Sequence, residues 1–264
     1  MNDNSSIDNK HGYCVFIITL VCLQCISYFF ARRFMPKAAR ADLDPWRWRN
    51  LVISWVHGLI CGSWSLLCLI YHPEFLEDLV TFKSPLLYLM VAFSSGYFLY
   101  DLLDILINKK VIDQWEVTLH HIFVVPGFWY NWHFQVCLGY CLVALTAEIN
   151  SFFLHSRKLL QLSGVGYDTS LYRTCSFLNL FTFVFCRIIP ITFILYSEYL
   201  EVPRYRLPIP YMICFIVLMV IVAIINYVLF WRLFKSDFLR PYFKNKQQKQ
   251  CKINANNNIQ VKDE

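Results

Sequence analysis

The sequence predicts an all-α, polytopic membrane protein, and three observations carry that reading. Of 264 residues, 57% are hydrophobic and 18% aromatic, while 16% are charged. An ordinary soluble domain has about 45–50% apolar and about 25% charged residues. The apolar residues gather in long blocks with the charges between them. Each block approaches the roughly 20 residues a helix needs to cross about 30 Å of hydrocarbon. Basic residues fill alternate loops. The same composition excludes a disordered chain, a collagen and a solenoid of polar repeats. With only 8 glycines, and none in GxGxxG or GxxxxGK, folds built on a Gly-rich nucleotide loop are disfavoured.

Seven apolar segments follow in order: 13–31, 51–72, 84–107, 117–133, 134–155, 173–199 and 207–234. The first has Lys10 and His11 before it and Arg32-Arg33 after it. Positive charge on the far side reads as a retained anchor with an outside N-terminus rather than a cleaved signal peptide. The second is entered through Trp46-Arg47-Trp48-Arg49-Asn50, where paired aromatic and basic residues suit a membrane-interface anchor. The fourth is short and holds His120, His121 and Pro126, so hydropathy supports it least. A tight turn near Trp132-His133-Phe134 would join it to the fifth.

Loop charge decides the count and the orientation. Arg32, Arg33, Lys37, Arg40, Arg47 and Arg49 follow the first span, and Glu74, Glu77 and Asp78 face a single Lys83 after the second. Lys109 and Lys110 follow the third, and Arg157, Lys158 and Arg173 the fifth; after the sixth, Glu201 is mixed with Arg204 and Arg206. The tail is basic from Arg232 to Lys252. Dropping the fourth span would break this alternation. The positive-inside rule then places the C-terminus in the cytosol. The net charge of +6 is accordingly charge at the cytosolic leaflet, and no nucleic-acid partner is implied. Residues 1–44 form an N-terminal segment with the first span, 45–240 the main membrane domain, and 241–264 a disordered cytosolic tail weakly attracted to anionic lipid. Asn4-Ser5-Ser6 matches a glycosylation sequon but sits too near the membrane for ready use.

The 11 cysteines lie in apolar blocks, Cys251 excepted, and behave as small hydrophobes rather than a disulfide framework. There is no CxxC pair with metal spacing and no HExxH. One His-His pair supplies too few ligands, so neither a metal nor a cofactor is expected.

Ionisable groups inside a bilayer need a partner or a water-filled cavity. Here they are His57, Asp101, Asp104, His120, His121, Glu148 and Arg187, joined by the amides Asn150, Asn179 and Asn226. At about 1.5 Å of rise per residue, all but Arg187 fall roughly 5–10 Å from the cytosolic end of their spans. Spans of opposite direction thus place their polar groups in one slab. Ser94, Tyr97, Asp101 and Asp104 share a stripe of the third span. A polar chamber opening toward the cytosol or inner leaflet is expected, lined by His57, Tyr97, Asp101, Asp104, His120, His121, Glu148 and Arg187. Neighbouring His120 and His121 point about 100° apart, so only one can be central. A histidine beside a carboxylate is able to act as general base in acyl transfer. The bland alternative is that these groups only brace the helices or hold a headgroup.

The His120-His121 pair and the preceding Gly96-Tyr97-Phe98-Leu99-Tyr100-Asp101-Leu102-Leu103-Asp104 stripe resemble the TLC domain of the TRAM, Lag and CLN proteins and the ceramide synthases. The likeness covers roughly residues 45–240. The Trp46–Asn50 run with Ser54 and His57, and Glu148 followed by Phe152-Phe153-Leu154-His155-Ser156-Arg157-Lys158-Leu159-Leu160, resemble the small TLC proteins that regulate membrane fluidity. The resemblance implies a six-helix barrel around a lipid tunnel, with the first span outside. It maps the synthases' paired histidines onto His120 and His121. The Lag-type His-Asp and Ser-Asp steps are missing from Thr146-Ala147-Glu148-Ile149-Asn150-Ser151, which argues against N-acyltransferase activity.

The function implied is a non-catalytic regulator that limits incorporation of long-chain polyunsaturated acyl chains into phospholipids at the plasma membrane. Its partners would be phospholipids, fatty acyl donors and lipid-remodelling enzymes. One alternative is an acyl-CoA-dependent acyltransferase using His120 or His121 with Asp101 or Asp104. Another is a lipid transporter or cargo receptor of the endoplasmic reticulum and early secretory pathway.

Overall fold

The computed structural model describes residues 7–31, 33–36, 45–201 and 208–239. The sequon, the predicted disordered tail and several loop cations, among them Arg32, Arg40, Arg204 and Arg206, lie outside the described residues. Among the described residues the chain is helical throughout, with no strand. The helices are α1 (Asn9–Cys25), α2 (Pro45–Tyr71), α3 (Pro85–Ile107), α4 (Trp115–Phe134), α5 (Leu138–Leu145), α6 (Ala147–Leu162), α7 (Ser170–Phe183), α8 (Ile189–Glu201) and α9 (Ile209–Phe234). Wider π-turns continue α1 over Ile26–Ala31, join α7 to α8 over Val184–Ile188 and extend α9 over Lys235–Leu239.

Six helical stretches are long and apolar enough to cross a membrane: Asn9–Phe29, Pro45–Tyr71, Pro85–Ile107, Leu138–Leu162, Ser170–Leu200 and Ile209–Asp237. The remaining one, α4, runs 20 residues and owes its lower hydropathy to its histidines and Asn131. Contacts at its two ends show that it spans the bundle like the others. At its start Glu116 meets Arg232 near the end of α9 at 2.8 Å. At its finish the Asn131 amide oxygen accepts from the Tyr211 hydroxyl, at the start of α9, at 2.6 Å. Among the described residues the first and the last lie on opposite faces of the bundle: Ile7 bonds Gln135 beyond α4, while Asp237 pairs with Arg157 late in α6. The face carrying Asp104, Glu116, Arg157 and Asp237 is called the near end below, and the opposite face the far end.

The helices form a ring in the order α2, α3, α4, α9, α7/α8, α5/α6 and back to α2. Helix α1 packs outside this ring, on α3. The six-helix barrel with one external span is therefore the architecture of the chain. Three boundaries differ from the sequence reading: α2 starts at Pro45 rather than 51, so that Arg47 and Arg49 lie in helix, and two more concern the fourth and fifth spans. The turn after α4 falls at Gln135–Cys137, not at Trp132–Phe134, because Gln135 and Cys137 take left-handed backbone angles (φ 53° and 56°). These angles hold because the Cys137 N–H donates to the Val80 carbonyl at 2.7 Å and the Gln135 amide donates to the Ile7 carbonyl at 2.6 Å. The fifth span ends at Leu162 rather than 155, so Arg157 and Lys158 sit in helix, not in a loop.

The far half of the ring is filled. α5 packs against α3, α4 and α8 as well as α2, and its Leu138, Leu142 and Leu145 are buried with Met90, Val91 and Trp132. This apolar plug leaves the near half as the place where buried polar side chains collect. α2 and α6 form the most extensive contact in the ring. Gly58 permits it: a Cβ there would stand 2.9 Å from the Phe152 backbone nitrogen.

Candidate functional site

The close approach of α2 and α6 brings His57 onto Glu148, with Nδ1 3.2 Å from Oε2. The His57 ring is fully buried. It stacks on Tyr97 with centroids 3.7 Å apart and planes 10° apart, and Phe93 stacks nearby at 5.6 Å. Its Nε2 is buried without a hydrogen-bond partner among the described residues. The carboxylate at Nδ1 fixes the ring and its tautomer, the arrangement that makes an imidazole a competent proton acceptor at its other nitrogen.

A second acid–imidazole pair lies across Tyr97, whose ring also meets His121 edge-on at 6.4 Å. His121 Nδ1 stands 3.2 Å from Asp101 Oδ2, at an angle too oblique for a hydrogen bond. The other Asp101 oxygen accepts from the Asn50 amide at 2.6 Å. His121 is buried, whereas His120 is half-buried, its ring 5.4 Å from that of His121. His120 lies within the electrostatic reach of His121, Arg187, Glu148 and Asp101. His121 is thus the one of the pair that meets an acid.

Asp104 leaves this group. Its Oδ2 accepts from the Trp46 indole at 2.7 Å. Its Oδ1 accepts from Asn108 at 3.0 Å and lies 3.5 Å from the Arg49 guanidinium. One helical turn beyond Asp101, it ties the start of α2 to the end of α3. Arg187 is also committed elsewhere. The π-turn that carries it inserts a wider ring in the helix. Its Nε donates to Asn150 at 2.7 Å, and its two Nη groups donate to Asn226 at 3.1 Å and Ser151 at 2.8 Å. The guanidinium therefore joins α6 and α9 through neutral acceptors.

Of the eight predicted chamber residues, the structure gathers His57, Tyr97, Asp101, His121 and Glu148 into one layer with His120 at its edge. It directs Asp104 to the interface anchor and Arg187 to an amide cradle. Sequence reasoning missed Asn50 and His155. Asn50 belongs to the anchor run and gave no separate signal. His155 sits seven residues after Glu148, on the same helical face, and that spacing was the available clue. One cavity lies apart from this layer. It is a groove of about 390 Å³ on the outer flank of α2, α6 and α7, lined by Trp55, Phe152, Ser156, Leu160, Leu171 and Leu178. The Trp55 indole donates to Ser156 in its wall at 2.8 Å. Among the described residues no three His, Cys, Asp or Glu side chains come together as metal ligands.

The family model of the TLC domain matches residues 47–235. The chain belongs to the TLC-domain family. Relatives include TLC domain-containing protein 2 of Danio rerio, 38% identical over 216 residues that cover 81% of this chain and 85% of the relative. TLC domain-containing protein 1 of Mus musculus is 32% identical over 218 residues, covering 81% and 86%. The Homo sapiens protein of that name is 32% identical over 216 residues, covering 81% and 85%. No solved structure matches the chain at a significant level. The TLC match begins inside the Trp46–Asn50 run, whose Trp46, Arg49 and Asn50 hold Asp104 and Asp101, and ends at the basic turn after α9.

Proposed function

We propose that this TLC protein regulates the acyl composition of membrane phospholipids without catalysing acyl transfer itself, limiting the entry of long-chain polyunsaturated acyl chains. The observation that carries the reading is that the carboxylates of the layer and Arg187 are each held by neighbouring side chains, while the unpartnered His57 Nε2 and His121 Nδ1 are fully enclosed. Glu148 is spent on His57, Asp101 on Asn50 and His121, and Arg187 on three neutral acceptors. Such a layer positions helices around a lipid rather than exposing a reactive group. The apolar groove beside Trp55 supports an acyl-chain contact, since dispersion along its wall needs no polar partner. The departure of Thr146–Ser151 from the synthase motif points the same way.

In this reading the protein lies in the plasma membrane with the near end cytosolic, where it biases which acyl donors reach remodelling enzymes. Cells lacking it, loaded with a polyunsaturated fatty acid, should gain polyunsaturated phosphatidylethanolamine by quantitative lipidomics. An unchanged lipidome under that load sinks the proposal.

A second reading, an acyl-CoA-dependent acyltransferase, is favoured by one observation: the buried His121 lies 3.2 Å from Asp101, an imidazole beside a carboxylate as general-base catalysis requires. Purified protein given an acyl-CoA with a lysophospholipid or a long-chain base would then turn over, and His121→Ala would stop it with folding intact.

A further inference from the structure

At the far end, where α2 ends and α3 begins, a serine, a histidine and a glutamate are joined in line. The Ser84 hydroxyl lies 2.9 Å from His72 Nε2, and His72 Nδ1 lies 3.0 Å from Glu74 Oε1. Glu74 is exposed, and its carboxyl is held below the ordinary 4.5, first by a backbone hydrogen bond and then by His72. An ionised carboxylate only accepts, so the proton of the neutral ring sits on Nδ1 and Nε2 accepts from Ser84. Ser84 is the N-cap of α3, yet its side chain bonds none of the first-turn N–H groups. A serine at that position ordinarily accepts from one of them, a contact worth about 1 kcal/mol. Here the hydroxyl is turned to the imidazole instead. The first-turn amides of α3, which have no partner within the helix, are left uncapped by it. The loop that carries the three residues is fixed. Asp78 accepts from the Val80 and Thr81 N–H groups, and the carbonyls of Val80 and Leu79 accept from Cys137 and Gly139 at the start of α5.

A hydroxyl, an imidazole and a carboxylate bonded in this order are the parts of a serine hydrolase. We propose that Ser84, His72 and Glu74 form a catalytic site that hydrolyses carboxylic esters of lipids in the leaflet at the far end. Ser84 Oγ adds to the ester carbonyl carbon while its proton passes to His72 Nε2, and Glu74 stabilises the imidazolium. The negative charge on the carbonyl oxygen is met by the uncapped amides and the positive end of the α3 dipole. The C–O bond to the alcohol then breaks, and the alcohol leaves with the proton from Nε2. Water, giving a proton to Nε2, attacks the acyl-serine, releases the fatty acid and restores Ser84. Depth makes a lipid ester the substrate class. The site joins two spans at the membrane surface, and its neighbours Ile70, Tyr71 and Leu76 are exposed apolar side chains. An apolar surface at that level seats acyl chains with their ester carbonyls near the helix ends. Ser84 is buried and the imidazole half-buried, so the ester approaches along the open edge of the ring. The site lies across the bundle from the polar layer and does not depend on the function proposed above.

The test uses the full-length protein in nanodiscs of dioleoylphosphatidylcholine. An alkyl fluorophosphonate should phosphonylate Ser84 with loss of fluoride, located by peptide mass spectrometry. This first measurement needs no variant to fold. Heat-unfolded wild type should not label, which separates an activated serine from one that is merely reachable. His72→Gln should slow the labelling at least about a hundredfold, the scale of one general base, and Ser84→Ala should abolish it. Wild type should also release oleate from the surrounding lipid, and Ser84→Ala should not. A folded wild type whose Ser84 stays unlabelled overturns the site, as does labelling that His72→Gln leaves at the wild-type rate. Labelling without oleate release overturns the lipid ester as substrate.

Discussion

Replacing Arg187 by Met tests whether that cation holds the bundle or serves a ligand. The guanidinium satisfies Asn150 Oδ1, Asn226 Oδ1 and Ser151 Oγ at 2.7, 3.1 and 2.8 Å. Ser151 keeps a second contact, to the Ala147 carbonyl, so two amide oxygens are left orphaned. Each orphan costs about 1–3 kcal/mol, a gross loss of about 2–6 kcal/mol. Removing a half-buried cation that has no carboxylate in contact returns part of this, leaving a net loss of about 2–3 kcal/mol. In a chain of this size that lowers the unfolding midpoint by about 4–12 °C, read by intrinsic tryptophan fluorescence in detergent. The second substitution Asn226→Leu removes one orphan, and the Asn226 amide otherwise bonds only its own helix at Val222. Arg187→Met/Asn226→Leu should therefore be more stable than Arg187→Met, a departure from additivity between contacting residues. Wild-type stability in Arg187→Met, or simple additivity in the double variant, refutes the brace. Loss of function at full stability would return Arg187 to the ligand site.

Two glycines should respond with opposite sign. Gly58→Ala puts a methyl 2.9 Å from the Phe152 backbone nitrogen and should destabilise by about 1–3 kcal/mol through overpacking. Gly127→Ala in α4 meets nothing within 4 Å and should stabilise its helix by about 0.5–1 kcal/mol; midpoints moving in the same direction defeat the argument. At the far end, in the loop after α2, Glu74 bonds His72 at 3.0 Å. Backbone hydrogen bonding first, then His72, holds its carboxyl below the ordinary 4.5. A lowered folded value means stability that is present above the unfolded value and lost as pH falls through the folded one. The gap between the unfolding midpoints of wild type and Glu74→Gln should close as pH falls below 4.5 and through the lowered folded value, and a gap that does not narrow on acidification contradicts this.

Most of the fold was legible because the bilayer imposes a coarse rule: blocks of about 20 apolar residues become helices, and loop charge counts the crossings. Helix α4 is the instructive case. Hydropathy alone passes it over, but charge alternation kept it, and the contacts of Glu116 and Asn131 at its two ends agree. The boundaries were less legible. The left-handed Gln135 and Cys137 are held by bonds to Ile7 and Val80, residues far away in sequence, so no local signal marks the turn.

The sequence by itself determined which residue types lie in the near half of the membrane, since depth along a helix follows from rise per residue. Only the tertiary structure decided which of them meet. Asp101 and Asp104 share a stripe, yet one turn of separation carries the first to His121 and the second to Trp46 and Arg49. Partner choice depends on helix rotation and on the distance between neighbouring axes. Here that distance was set by a glycine at 58 and the rotation of Arg187 by a π-turn, features that act across helices and leave no periodic trace in the chain.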